Sequence, residues 1–315
     1  MNPLLPKSQL PGIVWPAVMS GEAAVVLALL AQLQHAEWLP HDVLAGLQRR
    51  QRDALFAHAV ASVPYSRERL AGLGTDDWSR VPGLERAPLQ ALGPAPRSAA
   101  TPPAHGSWQL IRSSGSTGRP VEVEKTAYTG VLTKALMLRE HLWHGRDFER
   151  TFAAIRVAKQ TPAAQRLPGV EAPGWGPETA LLETRGRGAL LDLAVSPGDQ
   201  CAWLERVAPA YLLTYPSNLK SLLGHGLRAW PGLVHVKTLG EMVDDELRAR
   251  CREQLGVPLV DEYSAQEVGS IAIQCPLGSQ YHVQAENVFV ELLRDDGQPC
   301  AVGEPGRVVV TPLAE

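Results

Sequence analysis

The spacing of apolar residues predicts a helical start followed by strands that alternate with helices. An apolar run at 22–34 and apolar residues at helical spacing over 39–63 predict two helices. Further along, short apolar runs at 211–214, 234–239 and 257–263 are separated by segments with helical signals. Short strands alternating with helices are typical of a parallel sheet. We therefore predict an α/β protein with mostly parallel sheets covered by helices.

Changes in this pattern divide the chain into three regions. Residues 1–106 combine the helical start with a stretch over 72–106 that is rich in Gly, Pro, Ala and Ser. Such a composition predicts a surface connection. Residues 107–280 carry the alternating strands and helices. Residues 281–315 hold only short strand patterns and a turn at 295–297, which predicts a smaller β-rich part at the C-terminal end.

Composition restricts the class of protein. The chain has 315 residues, of which 45% are hydrophobic and 20% charged, as in ordinary soluble globular proteins. A formal net charge of −3 gives no electrostatic argument for nucleic-acid binding. The longest apolar stretch, 23–33, is too short to span a membrane and lacks the features of a signal peptide. The four cysteines have no CxxC spacing and suit reduced thiols, so we expect a cytoplasmic protein.

One loop concentrates hydroxyl groups and glycines. Between Ser113 and Gly118 there are four hydroxyl side chains, two glycines and no acidic residue. Glycines let the backbone N–H groups approach an anion, and hydroxyl groups add hydrogen-bond donors. The alternating residues at 121–124 predict that this loop lies between two strands. It is not a Walker loop, because no lysine follows Gly118. The pattern favours phosphate binding, with an ordinary polar turn as the alternative.

Two further segments follow predicted strands. Gly240 and Glu241 come directly after the strand at 234–239, and the segment 263–269 follows the strand at 257–263. Ligands of open α/β sheets bind beyond the carboxyl ends of the strands. The face of Tyr263 can stack on a base, and the carboxylate of Glu267 can hold a hard cation.

In this order, the three segments resemble those of the adenylate-forming superfamily, the AMP-forming acyl- and aryl-acid ligases. The chain is most similar to the phenylacetate–CoA ligase branch and its coenzyme F390 synthetase relatives. The segment 113–120 is similar to the phosphate loop of that branch, and 263–267 to its Y-G-x-T-E motif. Ser264 and Gln266 depart from the motif, which has Gly and Thr at these positions. The resemblance extends from about residue 20 to the end of the chain.

The resemblance implies a large N-terminal domain of an adenylate-forming enzyme. In the family, the segment that would follow residue 315 carries a ribose-binding aspartate and leads into a C-terminal lid with the catalytic lysine. We therefore expect that this chain is the N-terminal domain, truncated before the hinge and lid. Alone, it is expected to be poorly active or inactive.

The resemblance also implies a reaction and a set of site residues. The implied reaction is ATP-dependent activation of an aryl or acyl carboxylic acid to an acyl-adenylate, for transfer to CoA or another thiol. Glu267, as a Mg²⁺ ligand, and Thr117 are the implied catalytic residues. The implied contacts to ATP or AMP are Ser113, Ser114, Gly115, Ser116, Thr117, Gly118, Gly240, Glu241, Tyr263, Ser264 and Gln266. The implied acid pocket consists of Tyr215, Pro216, Ser217, Ala265 and Gly269.

Several alternatives stay open at this point. The acyl group could pass to a carrier protein or an amine, and the chain could form a homodimer. A protein of another class would be a lid-less nucleotide-binding or scaffold protein that has lost catalysis. A zinc site is a further candidate, against the favoured interpretation of free thiols and a surface histidine. Its ligands would come from Cys251, Cys275, His282 and Cys300.

Overall fold

The computed structural model describes residues 4–93, 95–112 and 121–314. The helices are α1 (Gly21–Ala36), α2 (His41–Ser62), α3 (Pro64–Arg69), α4 (Arg86–Leu92), α5 (Ala127–Trp143), α6 (Pro197–Val207), α7 (Pro216–Gly224) and α8 (Asp245–Leu255). The strands are β1 (Trp108–Arg112), β2 (Glu122–Thr126), β3 (Phe152–Arg156), β4 (Val170–Pro173), β5 (Arg187–Asp192), β6 (Tyr211–Thr214), β7 (His235–Leu239), β8 (Leu259–Ala265), β9 (Gly269–Gln274), β10 (Tyr281–Val283), β11 (Val288–Leu293) and β12 (Arg307–Pro312). Each helix of these described ranges is too short or too polar to cross a bilayer.

The described residues form two compact units. The first unit takes in 1–30, 134–264 and 272–282, and the second takes in 31–133, 265–271 and 283–315. Both units combine segments that are far apart in sequence. The division of the sequence at residues 106 and 280 therefore stays a prediction.

The first unit is built on an eight-stranded sheet in the order β10-β9-β8-β7-β6-β3-β5-β4. The pairs β3–β5, β3–β6, β6–β7 and β7–β8 are parallel, and β4 is antiparallel to β5. The predicted α/β class with a mostly parallel sheet is therefore confirmed. Strand β3 comes first along the chain and has β5 on one side and β6 on the other, so the order of strands reverses there. Ligands of such sheets bind at the carboxyl edge near a reversal of this kind.

A continuous apolar core supports this sheet. Strand residues Leu191, Leu212 and Val236 are fully buried and belong to one cluster with Trp203 of α6 and Leu247 of α8. Helices whose apolar side chains recur every three or four residues can bury one face against the strands in this way.

Local signals set the ends of the covering helices. Ser196 caps α6 by accepting a 3.2 Å hydrogen bond from the N–H of Asp199. Asp244 caps α8 by accepting a 2.8 Å hydrogen bond from the N–H of Leu247. Gly256 ends α8 with a φ of 68°, a conformation that glycine adopts without strain.

The second unit contains two antiparallel strand pairs, β1–β2 and β11–β12. Helix α2 packs near the second pair: Gln48 donates hydrogen bonds of 2.8 and 3.1 Å to the carbonyl groups of Ala285 and Val288. Gln51 donates a 2.9 Å hydrogen bond to the carbonyl of Leu313. The strands predicted near 281–283, 288–293 and 306–311 are present, although β10 joins the large sheet of the first unit.

Candidate functional site

The predicted phosphate loop, Ser113–Pro120, lies outside the described residues. The strands on either side of it are described: β1 ends at Arg112, and β2 begins at Glu122. These two residues are paired in the antiparallel register, and the Arg112 Nε lies 2.7 Å from the Glu122 Oε1. The prediction that the loop connects two strands is thus confirmed. A Walker loop would instead lead from a strand into a helix.

The second unit places the predicted metal ligand close to this strand pair. Glu267 lies in the turn between β8 and β9, and its side chain is partly exposed. The Nζ of Lys125, on β2, donates a 3.1 Å hydrogen bond to the carbonyl oxygen of Glu267. The turn that carries Glu267 is therefore fixed to the strand that follows the predicted phosphate loop.

In the first unit, three predicted segments lie at one edge of the sheet. Strands β6, β7 and β8 are parallel neighbours, and Thr214, Thr238 and Asp261 pair across them in one row. The residues that follow this row are Tyr215 to Ser217, Gly240 with Glu241, and Tyr263 with Ser264. Because parallel strands end at the same edge, these segments are adjacent in the structure. Tyr263 is 46% exposed, so part of its ring surface is accessible to a ligand.

Ser217 and Glu241 connect two of these segments directly. The backbone N–H of Ser217 donates a 2.8 Å hydrogen bond to Oε2 of Glu241, and the Ser217 hydroxyl donates a 2.9 Å hydrogen bond to Oε1. Ser217 lies in the first turn of α7, whose N-cap residue Tyr215 makes no side-chain capping bond. Glu241 therefore supplies a capping carboxylate to α7 from another loop.

Gly240 has a conformation that favours glycine. Its φ is +76°, in the region that other L-residues rarely adopt. A Cβ atom built at this position would lie 3.6 Å from the ring carbon Cε1 of Tyr215, an ordinary van der Waals distance. The requirement for glycine here is conformational, since there is room for a methyl group.

Before this edge, on β8, both carboxylate oxygens of Asp261 accept hydrogen bonds. The Thr238 hydroxyl donates to Oδ1 at 2.6 Å, and the Tyr281 hydroxyl donates to Oδ2 at 2.6 Å. The backbone N–H of Asp261 donates to Oε1 of Gln274 at 3.0 Å. Asp261 thus joins β7, β8 and β10 and acts as a structural carboxylate.

A cluster of buried charges that was not predicted from the sequence lies on the other face of the same strands. The Nζ of Lys237, on β7, lies 3.0 Å from Oε2 of Glu140 and 2.8 Å from Oε2 of Glu262. The guanidinium of Arg146 pairs with both carboxylate oxygens of Glu140 and donates a 2.8 Å hydrogen bond to Nε2 of His235. Each buried charge in this cluster has an oppositely charged neighbour.

These pairings control the ionisation of the cluster. Burial alone would raise the pKa of Glu140, but the charges of Arg146 and Lys237 outweigh it and hold that pKa well below its ordinary value. Burial alone would lower the pKa of Lys237, but Glu140 and Glu262 raise it above its ordinary value. Lys237 is therefore an ammonium ion and Glu140 is a carboxylate at neutral pH.

Two histidines beside this cluster are held neutral. Burial, together with the charge of Arg146, lowers the pKa of His235 to about 2. Burial is also the main reason that the pKa of His144 is lowered to about 4. Two cations in the interior already balance the carboxylates, so a further proton is unfavourable.

The sequence contained a signal for this cluster. Lys237 and His235 lie in a short strand whose only other polar residue is Thr238, and strands buried on both faces rarely carry a charge. A charge at such a position requires a buried partner of opposite sign. The sequence does not identify that partner, because Glu140 lies on α5, about a hundred residues earlier.

The predicted acid-pocket residues fall into two groups. Tyr215, Pro216 and Ser217 belong to the first unit, where Pro216 is buried and Ser217 is bonded to Glu241. Ala265 and Gly269 belong to the second unit, together with Gln266 and Glu267. The structure tests none of these roles, and they stay predictions.

The candidate zinc ligands are not assembled into a site. Within the described ranges, no group of three or more His, Cys, Asp or Glu side chains is arranged to hold a metal ion. The thiol of Cys251 lies 3.7 Å from the carbonyl oxygen of Val257, and burial raises its pKa to about 12. His282 packs edge-to-face on Trp143 at 5.5 Å, and Cys275 and Cys300 are free thiols. A cysteine binds zinc as its thiolate, a form that the environment of Cys251 disfavours.

Comparison with solved structures identifies the fold. The structure of 2-hydroxyisobutyryl-CoA ligase with 2-HIB-AMP and CoA, in the thioesterification state, matches with a TM-score of 0.68 and 17% identity, covering 88% of this chain and 61% of that chain. The same ligase in its postadenylation state with 2-HIB-AMP gives a TM-score of 0.69 at 16% identity, over 88% and 61% of the two chains. Its open conformation gives 0.63 at 16% identity, over 85% and 60%.

These similarities concern the fold. The structural neighbours are acyl-CoA ligases of the adenylate-forming superfamily, so the predicted fold is confirmed. The chain spans 61% of the length of the ligase that it matches. No family model and no curated protein matches the sequence. The phenylacetate–CoA ligase branch is not specifically indicated, and it stays a prediction.

Proposed function

We propose that this chain binds ATP and activates a carboxylic acid as an acyl-adenylate, for later transfer to CoA or another thiol. The main support is the position of two motif segments, Gly240–Glu241 and Tyr263–Ser264, at adjacent carboxyl ends of parallel strands. This edge is where α/β sheets bind their ligands. Further support comes from the fold, which is shared with a ligase whose structures hold an acyl-adenylate and CoA.

Each predicted residue has a chemical role in this proposal. Tyr263 stacks on the adenine, and the backbone of Gly240 and Glu241 borders it. The hydroxyl and N–H groups of Ser113–Gly118 bind the phosphates. Attack of the acid on the α-phosphate requires alignment and neutralisation of charge more than covalent help from the protein.

Glu267 is the proposed ligand for Mg²⁺. A carboxylate is a hard oxygen donor of the kind that Mg²⁺ prefers, and this one is partly exposed on a turn fixed by Lys125. These features fit the ion, which supplies neutralisation of phosphate charge when it is bound.

The acid and the acyl acceptor are proposed only as chemical classes, and the cellular location is proposed from the cysteines. An aryl or acyl acid is the proposed substrate, and Tyr215, Pro216, Ser217, Ala265 and Gly269 stay the residues predicted to contact it. A thiol is the proposed acceptor, in preference to a carrier protein or an amine. All four cysteines are described and unpaired, which suits the cytoplasm.

The proposal is tested in two steps on the 315-residue chain. Calorimetry with ATP and with AMP, in the presence of Mg²⁺, measures nucleotide binding. Exchange of pyrophosphate into ATP, with a panel of aromatic and aliphatic acids, measures adenylation. Exchange stimulated by at least one acid supports the full proposal. Binding without exchange supports the nucleotide-binding part of the proposal and agrees with the expectation that this chain alone is poorly active, and absence of both contradicts the proposal.

Gly118→Trp provides a variant for the same assay. A bulky side chain in the predicted phosphate loop is expected to abolish ATP binding while thermal unfolding is unchanged. Gly198→Trp is the matched control, because Gly198 is exposed near the start of α6 and nothing lies within 4 Å of a Cβ atom built there. Unchanged ATP affinity of Gly118→Trp would remove the loop from the proposed site.

A further inference from the structure

We infer that Lys237 is a positioning residue for the adenine side of the nucleotide site, an inference that rests on the proposed function. Lys237 lies on β7, three residues before Gly240. Its partner Glu262 lies on β8, directly before Tyr263. The ion pair therefore joins the ends of the two strands that lead into the segments proposed to border the adenine.

The strand register makes this pair sensitive to the relative position of the two strands. Lys237 is paired with Val260, and Leu239 is paired with Glu262, so Lys237 and Glu262 are diagonal neighbours on one face. Their charged atoms are 2.8 Å apart. A slip of β8 by one residue would turn Glu262 to the opposite face and break the pair.

The opposite face carries a second connection at the same level. Thr238, the next residue on β7, donates a 2.6 Å hydrogen bond to Asp261 of β8. The ends of β7 and β8 are therefore joined by polar side chains on both faces of the sheet, in addition to the backbone ladder. This double connection fixes both the spacing of the two strand ends and the orientation of the residues that follow them.

Glu140 connects the pair to a helix. The Nζ of Lys237 also lies 3.0 Å from Glu140 of α5, which Arg146 holds through both carboxylate oxygens. The side chain of Lys237 is only 6% exposed and that of Glu140 only 3%. Apolar side chains of similar volume would stabilise such an interior about as well. The ions differ from apolar side chains because they fix the relative position of the groups that they join. A buried ion keeps its partner at hydrogen-bond distance.

The inference is tested with a charge-balanced variant. Lys237→Met alone would leave Glu262 buried without its cation and could fail to fold. The double variant Lys237→Met/Glu262→Gln removes one charge of each sign, and Glu140 keeps Arg146 as its partner. Lys237→Arg retains a cation between the two carboxylates. Lys134→Met is the matched control, since Lys134 forms a surface ion pair with Glu22.

Calorimetry with two ligands distinguishes binding at the adenine end of the nucleotide from binding at its phosphate end. With the double variant, we expect about tenfold weaker binding of AMP, because the adenine side loses its pre-formed geometry. Binding of inorganic tripolyphosphate, which reports on the phosphate end, should stay the same. Lys237→Arg should recover most of the AMP affinity, and Lys134→Met should match the wild type.

Each result has a defined meaning. Unchanged AMP affinity in a folded double variant overturns the inference, as does an equal loss of AMP and tripolyphosphate binding. A double variant that fails to unfold cooperatively shifts the test to Glu262→Gln, which leaves Lys237 paired with Glu140. Weaker AMP binding by this variant with tripolyphosphate binding unchanged supports the inference, and unchanged AMP affinity contradicts it. Wild-type protein that binds neither AMP nor ATP contradicts the proposed function itself.

Discussion

Ser217 donates two hydrogen bonds to the carboxylate of Glu241, one from its backbone N–H at 2.8 Å and one from its hydroxyl at 2.9 Å. This pairing joins the start of α7 to the segment after β7. The resemblance implies that Ser217 belongs to the acid pocket and that Glu241 lies beside the adenine. In the structure, the two side chains are hydrogen-bonded to each other, so the proposed contact of Glu241 with a nucleotide is through its backbone.

The first prediction concerns this pair. Glu241→Ala should destabilise the protein by about 1 kcal/mol, since it removes a capping carboxylate from the N-terminus of α7. Ser217→Ala and Glu241→Ala should be non-additive by about 0.5 kcal/mol in urea unfolding, because each removes the same hydroxyl–carboxylate bond. Ser196→Ala, at the N-cap of α6, should combine additively with Glu241→Ala. Additivity of the first pair would show that the bond does not form in solution.

The second prediction concerns Gly240. Gly240→Ala should destabilise the protein by about 1 kcal/mol, because an alanine is strained at the observed φ of +76°. Gly198→Ala, near the start of α6, is the control and should have no destabilising effect, since nothing lies within 4 Å of its added Cβ. Thermal unfolding of the two variants measures the difference. Equal stability of both would mean that the segment after β7 has another conformation in solution.

The third prediction concerns pH. The pKa of His144 is lowered from 6.5 to about 4 in the folded protein. Between these pH values the unfolded chain binds a proton that the folded protein does not. The contribution of neutral His144 to the free energy of unfolding is therefore fully present above about pH 6.5. It is lost as the pH drops towards 4, and a pKa shift of this size corresponds to roughly 3 kcal/mol.

His235 also destabilises the folded protein as the pH falls below 6.5, and this loss of stability continues to lower pH because its pKa is lowered to about 2. Urea unfolding at several pH values measures the slope. His144→Gln should reduce the slope between pH 6.5 and 4 by about one proton. His35→Gln, at an exposed position of α1, should leave the slope unchanged. A slope that is identical in wild type and His144→Gln would contradict the burial of a neutral His144.

The fourth prediction concerns Glu267. Glu267→Gln should weaken Mg²⁺-dependent ATP binding by about tenfold, because an amide oxygen is a poorer ligand for Mg²⁺ than a carboxylate. AMP binding without Mg²⁺ should be unaffected. Glu253→Gln, at an exposed position of α8, serves as the control. If both nucleotides lose affinity equally, Glu267 supports the turn and does not hold the metal.

Much of the fold was predictable because its signals are local. The apolar run at 211–214 and the periodic segment that begins at Pro216 correspond to β6 and α7. Asp244 and Gly256 mark the ends of α8 through their own backbone and side-chain geometry. The strand pair around the predicted phosphate loop was likewise predictable, from the alternation at 121–124.

The sequence by itself determined the α/β class, the order of the segments and the chemical types at the ends of the strands. Only the tertiary structure decided which side chains meet. The pairs Ser217–Glu241 and Lys237–Glu262 each join residues that are 24 or 25 positions apart. Glu140 reaches Lys237 from helix α5. Periodicity and propensity depend on near neighbours in the chain, whereas a buried ion pair depends on strand order and register, which are set by packing of the whole sheet.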